Sequence, residues 1–573
     1  MLDANYSPLH VHCAQGSFLD STNMPKTIVK RCKELGITSC ALTDHGYTTA
    51  LLDFYNECNK EGVKPLLGVE AYLTPDVAIK DKTSRYDHLI LLARNNQGYK
   101  NILELSSKGF IEGRYYKPRI DYKMLGQYSE GVIASSACLG GTLAKMIMDK
   151  ESDDIVKEQI KKFCNIFEYF YLEIQSAINP EQEYVNKELV RFSKELNVPL
   201  VVTTDAHFIE QSDFESHGCF IKLNQLRDNE FYKDCWIKSV DEIIEVLKDQ
   251  GLEEDDINSA IENTNKIAEM CNVEIEQGHS YLPDFPVPKE YENDVKYIQH
   301  LINKGFVSRG LNKKPNVKEY MDRVLMEFDV IYRKGYIGYF LITGDFLEEC
   351  RQADIPTGDG RGSAAGSLIC YCMGITNVDP IAADLDFSRF LTMERTSLPD
   401  IDNDVSSARK PDAITILRKK YGYDKVAQVA TFLRMQGKST IGKVAKVYDI
   451  PYSEVEKMKS KIGDKETIME ALANENGLEA YQVKYPLFFE MCMKLEGLPV
   501  GISTHAGGVV ICPSNMRMSD FTGLCLNKDD EIITQGEMHN VEGEGLVKID
   551  ILATVVLDTI ANALDLIYEG GIR

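Results

Sequence analysis

The sequence lacks the apolar segments and the amino-terminal signal that membrane-spanning or exported chains carry. Its 573 residues contain no run of about 18 or more uncharged apolar residues. The first residues, MLDANYSPLHVH, have no basic flank followed by an apolar stretch. These absences argue against a membrane partner and predict a cytoplasmic chain.

The sequence also lacks CxxC pairs, internal repeats and low-complexity tracts. Its 15 cysteines are scattered along the chain, which argues against both a zinc ribbon and a disulfide framework. We expect these thiols to be reduced and mostly buried.

A net positive charge is missing too, since the chain carries −24 at pH 7. This balance argues against a protein that simply coats nucleic acid, because phosphate binding requires local positive charge. Residues 409–461 are the exception: 13 Lys or Arg against five acidic residues give +8, which leaves −32 for the rest of the chain. Such a basic segment is a candidate DNA-contacting element, and a solvated helix face is the alternative.

The composition and the order of segments indicate a multidomain α/β chain. Hydrophobic residues make up 44% and charged residues 27%, which is ordinary for a chain that buries several cores. Over the first 210 residues, short apolar runs alternate with stretches of helical spacing, and this predicts a parallel sheet or barrel. The proline-rich segment 281–291 reads as a linker, and a mainly helical part follows it.

Imidazole, thiolate and carboxylate side chains recur near the ends of the strand-like runs. In a barrel of parallel strands, functional groups lie at the carboxyl ends of the strands, and alternate spacing aims pairs of ligands at one face. These ligand types suit Zn²⁺ or Mn²⁺ better than Mg²⁺ alone. Each residue alone fits a core or surface role, but seven together favour a metal site. The seven are His10, His12, His45, Glu70, Cys138, Asp205 and His207.

A second group of carboxylates is typical of a two-cation site. Phosphoryl and nucleotidyl transfer need two divalent cations about 3.5 to 4 Å apart, and Mg²⁺ prefers hard oxygen ligands. In residues 398–405, LPDIDNDV, Asp400 and Asp402 alternate with Ile401 and share one face of a strand candidate. Asp404 continues the alternation and is a further candidate ligand. The alternative is that Asp400 and Asp402 are ordinary solvent-exposed carboxylates in a loop.

Two further motifs complement these carboxylates. The run GDGRGSAAGSL, residues 358–368, offers backbone N–H groups that could cradle phosphate, with a flexible turn as the alternative. In LVKIDIL, residues 546–552, Lys548 and Asp550 share one face of an otherwise apolar strand. A charged pair there requires a partner. Asp550 meets that requirement if it is a third carboxylate that faces Asp400 and Asp402. Lys548 would then lie near a substrate phosphate.

The front motifs HVH, ALTDHG, GVEAY, HLILLA, SSACL and TTDAH resemble the PHP (polymerase and histidinol phosphatase) domain that opens bacterial DNA polymerase III alpha subunits. The resemblance implies a distorted (β/α)7 barrel with nine metal ligands. Some relatives use this domain as a metal-dependent 3′-to-5′ exonuclease, others have lost ligands and keep it as scaffold, and a complete set favours activity. By carry-over, the ligands are His10, His12, Asp20, His45, Glu70, His88, Cys138, Asp205 and His207.

Two of these assignments, Asp20 and His88, depart from the usual pattern. The segment between His12 and Asp20 is one residue longer than usual, and His88 starts its apolar run instead of ending it. Both residues are therefore assigned by the resemblance.

The later motifs GRGSAAGSL, ITNVDP, FSRFLTMER, LPDIDNDV, VAQVATF, THAGGVVI and EGEGLVKIDIL resemble the C-family polymerases and follow the family's order. The resemblance implies a PHP domain over residues 1–280, a polymerase-beta-like nucleotidyltransferase palm over 281–405 and 501–573, and a helical thumb inserted at 406–500. It makes Asp400, Asp402 and Asp550 the catalytic ligands of two Mg²⁺ ions. Arg361, Gly362, Ser363 and Lys548 are the nucleotide-binding candidates, and His505 is a structural residue.

The chain departs from the family by ending at Arg573, soon after the third aspartate. Family members continue with fingers, a sliding-clamp-binding region and an oligonucleotide-binding fold. We therefore expect a second chain that carries the fingers and reaches the clamp. A virus-borne or interrupted gene and a truncated remnant are the alternatives.

These features predict template-directed DNA synthesis from primer-template DNA and dNTPs, in a bacterium or a virus-infected bacterial host. Two other functions stay open. One is a PHP phosphoesterase or nuclease whose palm only binds DNA, and the other is a non-catalytic assembly or regulatory protein.

Overall fold

The computed structural model describes residues 6–223, 230–395 and 398–569. Its strands are β1 (Ser39–Leu42), β2 (Lys64–Thr74), β3 (Asp87–Ala93), β4 (Arg119–Asp121), β5 (Val132–Ser135), β6 (Tyr169–Gln175), β7 (Leu200–Thr203), β8 (Asp402–Ser406), β9 (Val426–Arg434), β10 (Pro499–Ile511), β11 (Leu524–Leu526), β12 (Ile532–Glu537) and β13 (Lys548–Thr554).

Helices fill most of the segments between the strands. They are α1 (Pro25–Glu34), α2 (Leu51–Glu61), α3 (Asn96–Ile111), α4 (Tyr122–Tyr128), α5 (Thr142–Met148), α6 (Asp153–Ile166), α7 (Pro180–Leu196), α8 (Phe214–Lys222), α9 (Val240–Asp249), α10 (Glu254–Met270), α11 (Asp294–Ser308), α12 (Val317–Arg333), α13 (Ile337–Gln352), α14 (Leu368–Cys372), α15 (Lys410–Tyr421), α16 (Gly437–Val447), α17 (Tyr452–Lys459), α18 (Ile468–Ala473), α19 (Glu479–Lys484), α20 (Pro486–Leu495), α21 (Met538–Gly543) and α22 (Val555–Glu569).

The chain divides into two compact units that do not follow the sequence in simple order. Unit 1 comprises Met1–Glu276, Ala430–Ser503 and Thr522–Asn540. Unit 2 comprises Gln277–Val429, Thr504–Phe521 and Val541–Arg573. The division into PHP domain, palm and thumb stays a prediction.

Local sequence signals explain where several helices of unit 1 begin and end. The Asn179 side chain accepts a hydrogen bond from the backbone of Gln182, and Pro180 occupies the first position of α7. Asn197 ends the same helix in the left-handed conformation. Ser239 and Glu242 form a capping box at the start of α9.

The front part of unit 1 is a curled seven-stranded sheet covered by helices. Its order is β1-β2-β3-β5-β6-β7, with β4 beside β2. Most neighbours are parallel, as alternating strands and helices predict, but β3 runs antiparallel to both β2 and β5. The reason is that no helix separates β2 from β3, so the chain reverses through a loop.

The two edges of this sheet meet at residues 8–12. The amide of Thr43, just after β1, donates to the carbonyl of Val11 at 2.8 Å, and the amide of His12 donates to the carbonyl of Ala206, just after β7, at 2.9 Å. This segment joins the two edges and turns the sheet into the barrel-like form that the resemblance implies. Buried aliphatic and aromatic side chains fill the space between sheet and helices.

The later segments of unit 1 add helices and a hairpin to this body. Helices α16 to α20 share an apolar cluster with Ala14, Cys219 and Phe220 of the front part. Strands β11 and β12 form an antiparallel pair. From β12, the fully buried Gln535 accepts from the amide of Thr48 at 2.6 Å and donates to the hydroxyl of Ser106 at 2.8 Å.

Unit 2 contains a mixed sheet region packed against helices. Strand β13 pairs with β8 in parallel and with the end of β10 in antiparallel orientation. The inner faces of these strands pack against α13, α14 and α15 in one apolar cluster. Both units are thus mixed α/β structures.

Helix α22 follows β13 and keeps much of its apolar surface exposed. Val555, Val556, Leu566 and Tyr568 are each more than 60% exposed among the described residues, while residues 570–573 lie outside them. Among all helices that the structure describes, none has the length and apolarity needed to cross a bilayer.

Candidate functional site

Unit 1 gathers all nine predicted metal ligands at one end of the curled sheet. His10 and His12 lie on the segment that joins the sheet edges, and Asp205 and His207 directly follow β7. The antiparallel direction of β3 explains His88, because the first residues of β3 lie at the same end as the last residues of its parallel neighbours. The remaining ligands come from the loops after β1 and β5, from β2 and from the loop before α1; they are His45, Cys138, Glu70 and Asp20.

Glu70 lies at the centre of one half of the cluster. Its carboxylate is 2.6 Å from Nδ1 of His45, 2.9 Å from Nδ1 of His88 and 3.2 Å from Nε2 of His10. The Cys138 thiol lies 3.4 Å from Nδ1 of His88. These contacts bring thiol, imidazole and carboxylate groups within coordination range of one another.

Asp205 holds the other half of the cluster together. Its Oδ1 is 3.1 Å from Nε2 of His12, 3.2 Å from Nε2 of His10 and 3.5 Å from Nδ1 of His207. Asp20, the ligand with the least regular spacing in sequence, lies 2.9 Å from Nε2 of His45.

The side chains present fit bound metal ions. Among the described residues of this cluster, three buried imidazole nitrogens form no hydrogen bond of good geometry, although carboxylate oxygens lie 2.6 to 3.9 Å from them. They are Nε2 of His10, Nδ1 of His45 and Nε2 of His207. Orphaned buried nitrogens beside carboxylates are costly unless something else satisfies them. Overlapping groups of three ligand atoms lie within 4.8 Å of one another, and mixed nitrogen, sulfur and oxygen donors suit Zn²⁺ or Mn²⁺.

The electrostatics of this cluster are strongly perturbed. Burial opposes charge on His45, but Glu70 and Asp20 outweigh it and raise the pKa of this imidazole to about 10. Burial, together with His45 and His207, lowers the pKa of His12 to about 3. The pKa values of these two neighbouring imidazoles thus differ widely. Perturbed pKa values of this kind are common at functional sites.

Two residues beside the cluster were missed by the sequence analysis. Glu173 of β6 is fully buried and lies 2.8 Å from Nδ1 of His10. Cys235 lies close enough to Asp205 and His207 to offer a further ligand atom. The signal for Glu173 was a lone acid inside the apolar run YFYLEIQ, which requires a buried partner. Nothing in the sequence around Cys235 distinguishes it from a core cysteine.

Unit 2 brings the three predicted aspartates of the second site together. Asp402 and Asp550 are directly paired residues of β8 and β13, so their side chains lie on one face. Strand β8 begins only at Asp402, and Asp400 precedes it with a more exposed side chain. Nζ of Lys548 lies 2.7 Å from Asp550 and 3.5 Å from Asp400, so Lys548 bridges these two aspartates.

The glycine-rich run adjoins the same carboxylates. Residues Gly362–Gly366 form a short 3-10 helix, and Gly362 has a positive φ of 64°. Nε of Arg361 lies 3.6 Å from both Asp402 and Asp404. A side chain at Gly358 would meet Asp404, because its Cβ would lie 2.8 Å from that of Asp404. Close approach of this backbone to the acidic strand explains the glycine there.

The charges of this second site repel one another. Burial raises the pKa of Asp550, Lys548 opposes this, and Asp400 and Asp402 raise the pKa further. Concentrated carboxylates of this kind are the usual oxygen ligands of Mg²⁺. His505 binds its own strand, since its Nδ1 accepts from the amides of Gly507 and Gly508 in β10.

Comparison with known proteins matches both parts of the chain. A family model described as the PHP domain covers residues 8–177, and one described as the bacterial DNA polymerase III alpha NTPase domain covers residues 296–553. DNA polymerase III subunit alpha of Borreliella burgdorferi is 37% identical over 98% of this chain and 49% of its own length. That of Treponema pallidum is 34% identical over 100% of this chain and 49% of its own length.

Other similarities are weaker or equally partial. DNA polymerase III subunit alpha of Campylobacter jejuni is 35% identical over 99% of this chain and 50% of its own length. A histidinol phosphate phosphatase of Lactococcus lactis, solved with zinc, L-histidinol and phosphate, has a TM-score of 0.24 at 14% identity, over 44% of this chain and 95% of that chain. The chain spans about half the length of the curated relatives it matches.

The curled sheet, its cluster of buried ligands and the matching family model define the front of the chain as a PHP domain. The chain as a whole belongs to the bacterial DNA polymerase III alpha family and corresponds to the amino-terminal portion of its members.

Proposed function

We propose that this chain takes part in template-directed DNA synthesis, adding dNTPs to the 3′ end of a primer on template DNA. The observation that carries this proposal is the direct pairing of Asp402 with Asp550, with Lys548 between Asp550 and Asp400. Bound Mg²⁺ would activate the primer oxygen and neutralise the triphosphate. The three aspartates would hold two such ions.

The chain's own residues would position the nucleotide around this centre. Lys548 lies near enough to the aspartates to release one and contact a phosphate oxygen as substrate enters. The backbone N–H groups of Gly362 and Ser363 would bind the triphosphate, and Arg361 would exchange its aspartate contacts for phosphate.

We further propose that the PHP site removes mispaired 3′ nucleotides as a metal-dependent exonuclease. The complete set of nine clustered ligands favours this function over a scaffold role. Bound Zn²⁺ or Mn²⁺ would supply an activated water for attack on the phosphodiester. The alternative is a PHP phosphoesterase or nuclease whose palm only binds DNA.

The partner we propose is a second chain that carries the fingers and the clamp-binding region. We place both chains in the cytoplasm of a bacterium or of a virus-infected bacterial host. The apolar surface of α22 supports this proposal, because exposed patches of this kind are typical of protein contacts. The four-part division into a PHP domain, two palm segments and an inserted thumb belongs to the same proposal.

Primer extension tests both activities in one design. The chain is assayed alone and with the product of the adjacent reading frame, as wild type, Asp400→Ala and Asp205→Ala. Asp412→Ala is the control, since Asp412 is an exposed aspartate that pairs with Arg409 outside both sites. We expect Asp400→Ala to abolish extension alone and Asp205→Ala to abolish 3′ degradation alone. Undiminished extension by Asp400→Ala would refute the polymerase assignment.

A further inference from the structure

The PHP cluster opens into two adjoining cavities of unit 1. The first is about 240 Å³ and the second about 280 Å³, and both are lined by Asp20, His45, Tyr72 and Lys117. The second also reaches Cys138 and His207, so it contains the deeper ligands. Each cavity is slightly smaller than the roughly 300 to 1,000 Å³ of a small-molecule site. A ligand that uses both must be extended and must pass the metal cluster.

The first cavity has the composition of a single-strand binding surface. Aromatic side chains line much of it: Phe18, Tyr47, Tyr72, Phe110 and Tyr116. Arg114 and Lys117 are its cations, and Arg114 pairs with the exposed Asp530 at 3.1 Å. Among the described residues, the one carboxylate in the cavity wall is the metal ligand Asp20. Aromatic rings for bases and cations for phosphates are the two elements by which proteins bind single strands. In a chain of net charge −24, such a local surface is required for binding a polyanion.

Tyr116 occupies the tip of a strained turn at the rim of this cavity. The amide of Lys117 donates to the carbonyl of Tyr115 at 2.8 Å across it, and Tyr116 has a φ of 60°. A turn of this kind with a positive central φ is rare and strained. The Tyr116 side chain is 88% exposed and packs only edge-on against Tyr115 among the described ring contacts. The fold therefore gains little from an aromatic residue here, and strained positions cluster at functional sites.

The residues on both sides of this turn are closely packed. Arg119 is fully buried and donates to the carbonyl of Gly113 at 3.0 Å and to the carbonyl of Ile79 at 3.0 Å. Gly46, directly after the ligand His45, has a φ of 70°, and a Cβ there would lie 2.6 Å from Pro118. Close packing on both sides fixes the distance between the turn and His45.

We propose that Tyr116, Lys117 and Arg114 form a subsite for the single DNA strand behind the nucleotide that is cleaved. The proposal rests on the exonuclease function and names how the substrate is recognised. The terminal nucleotide enters the second cavity, and the scissile phosphate lies at the cluster between the cavities. Tyr116 stacks on the preceding base, and Lys117 contacts the phosphate between them. The site thereby selects a strand over a small phosphate ester.

Fluorescence of 2-aminopurine tests the stacking contact directly. A short single-stranded DNA carries this base next to its 3′ nucleotide and is titrated with the full chain in EDTA, so that no cleavage occurs. We expect quenching by wild type and by Tyr116→Phe, and loss of quenching in Tyr116→Leu. Loss of one stacked base should weaken binding by roughly 5- to 150-fold. Lys117→Ala should make the negative slope of log affinity against log salt shallower by about 0.7.

Controls separate this proposal from the function on which it rests. Tyr423→Leu removes another exposed tyrosine, outside both cavities, and should bind like wild type. Equal quenching by wild type and Tyr116→Leu, or none by wild type, overturns the subsite, whatever the nuclease assay shows. Tyr116-dependent quenching without strand degradation in Mn²⁺ or Zn²⁺ supports the subsite and refutes the exonuclease function.

Discussion

His10 shows how a single imidazole is oriented before any ligand binds. Its Nδ1 donates to Glu173, whose carboxylate also accepts from the hydroxyl of Thr203 at 2.7 Å and that of Ser135 at 2.5 Å. The opposite nitrogen, Nε2, therefore points at Glu70 and Asp205. A carboxylate behind a histidine ligand fixes the ring and raises its basicity as a ligand.

Replacing Glu173 by glutamine should weaken metal binding without unfolding the site. The amide keeps an oxygen for His10 and turns its NH2 toward the Ser135 hydroxyl, which can accept. We expect the affinity for Zn²⁺ or Mn²⁺ to fall by about 10- to 100-fold, measured by competition with a chromogenic chelator. Glu168→Gln, an exposed residue just before the same strand, is the control. Equal affinity of Glu173→Gln and wild type would contradict this role for Glu173.

At this scale the sequence predicts some residues well and others not at all. The alternate spacing of HVH and DAH predicts pairs of side chains with a shared direction, and His12 and Asp205 do meet. The three-dimensional convergence of Asp20 on His45 depends on a loop, and loop paths do not follow from periodicity. Glu173 was missed because a buried acid becomes a positioning group only when its partner, 163 residues away, is known.

Elements whose contacts are distant in sequence were the hardest to anticipate. Alternation predicts β13, and the structure places its Asp550 beside Asp402 of β8. The reversed direction of β3 was not predicted, since composition does not encode strand direction. The β11–β12 hairpin was not predicted to contact the front of the chain, because the amide partners of Gln535 lie more than 400 residues earlier.

Gln535 anchors that hairpin, and Gln535→Leu should loosen it. The substitution removes the acceptor of the Thr48 amide and the donor to Ser106 and to the Leu524 carbonyl. Each buried polar group left without a partner costs about 1 to 3 kcal/mol. We expect a loss of about 2 to 5 kcal/mol in unit 1, measured by hydrogen exchange of the hairpin amides.

A surface glutamine provides the comparison for this prediction. Gln352→Leu changes an exposed residue of α13 and should alter stability by no more than about 0.5 kcal/mol. Hairpin amides that exchange as slowly in Gln535→Leu as in wild type would show that the hairpin does not depend on this side chain.

Some of the lysines in the basic segment, residues 409–461, form ion pairs within the protein. Lys438 lies 2.6 Å from Asp464, and Lys459 lies 3.0 Å from Glu456. Within the described residues, no ion pair involves Lys443 or Lys446 of α16, which lie one helical turn apart. These two lysines are the better candidates for DNA contact.

Reversing both charges of α16 should weaken DNA binding in a salt-dependent way. The affinity for duplex primer-template falls as salt rises, and its log–log slope is therefore negative. For Lys443→Glu with Lys446→Glu, we expect this slope to become shallower by about 0.9 per lost phosphate contact. Lys26→Glu with Lys30→Glu on α1 makes the same change in net charge and is the control. If both double variants lose affinity equally, net charge and not α16 determines binding.

On the scale of the whole molecule, unit 1 cannot be cut out as a continuous stretch of sequence. Phe220 and Cys219 share their apolar cluster with helices α16 and α20. The amide of Thr48 donates a hydrogen bond to the side chain of Gln535 in β12. We expect a fragment of residues 1–276 to expose these surfaces, bind a hydrophobic dye such as ANS and aggregate. The full chain at equal concentration is the control. A monomeric fragment that binds no dye would show that the barrel is self-sufficient.

The division of unit 1 among three segments also has a consequence for synthesis. The first segment ends at Glu276 and the next begins at Ala430, so about 150 residues are translated between them. At about 5 to 20 residues per second, this delay lasts roughly 8 to 30 s. Throughout that interval the nascent barrel presents Phe220 to the cytosol or to a chaperone. We therefore expect the yield of folded protein to depend on translation speed and on chaperone supply.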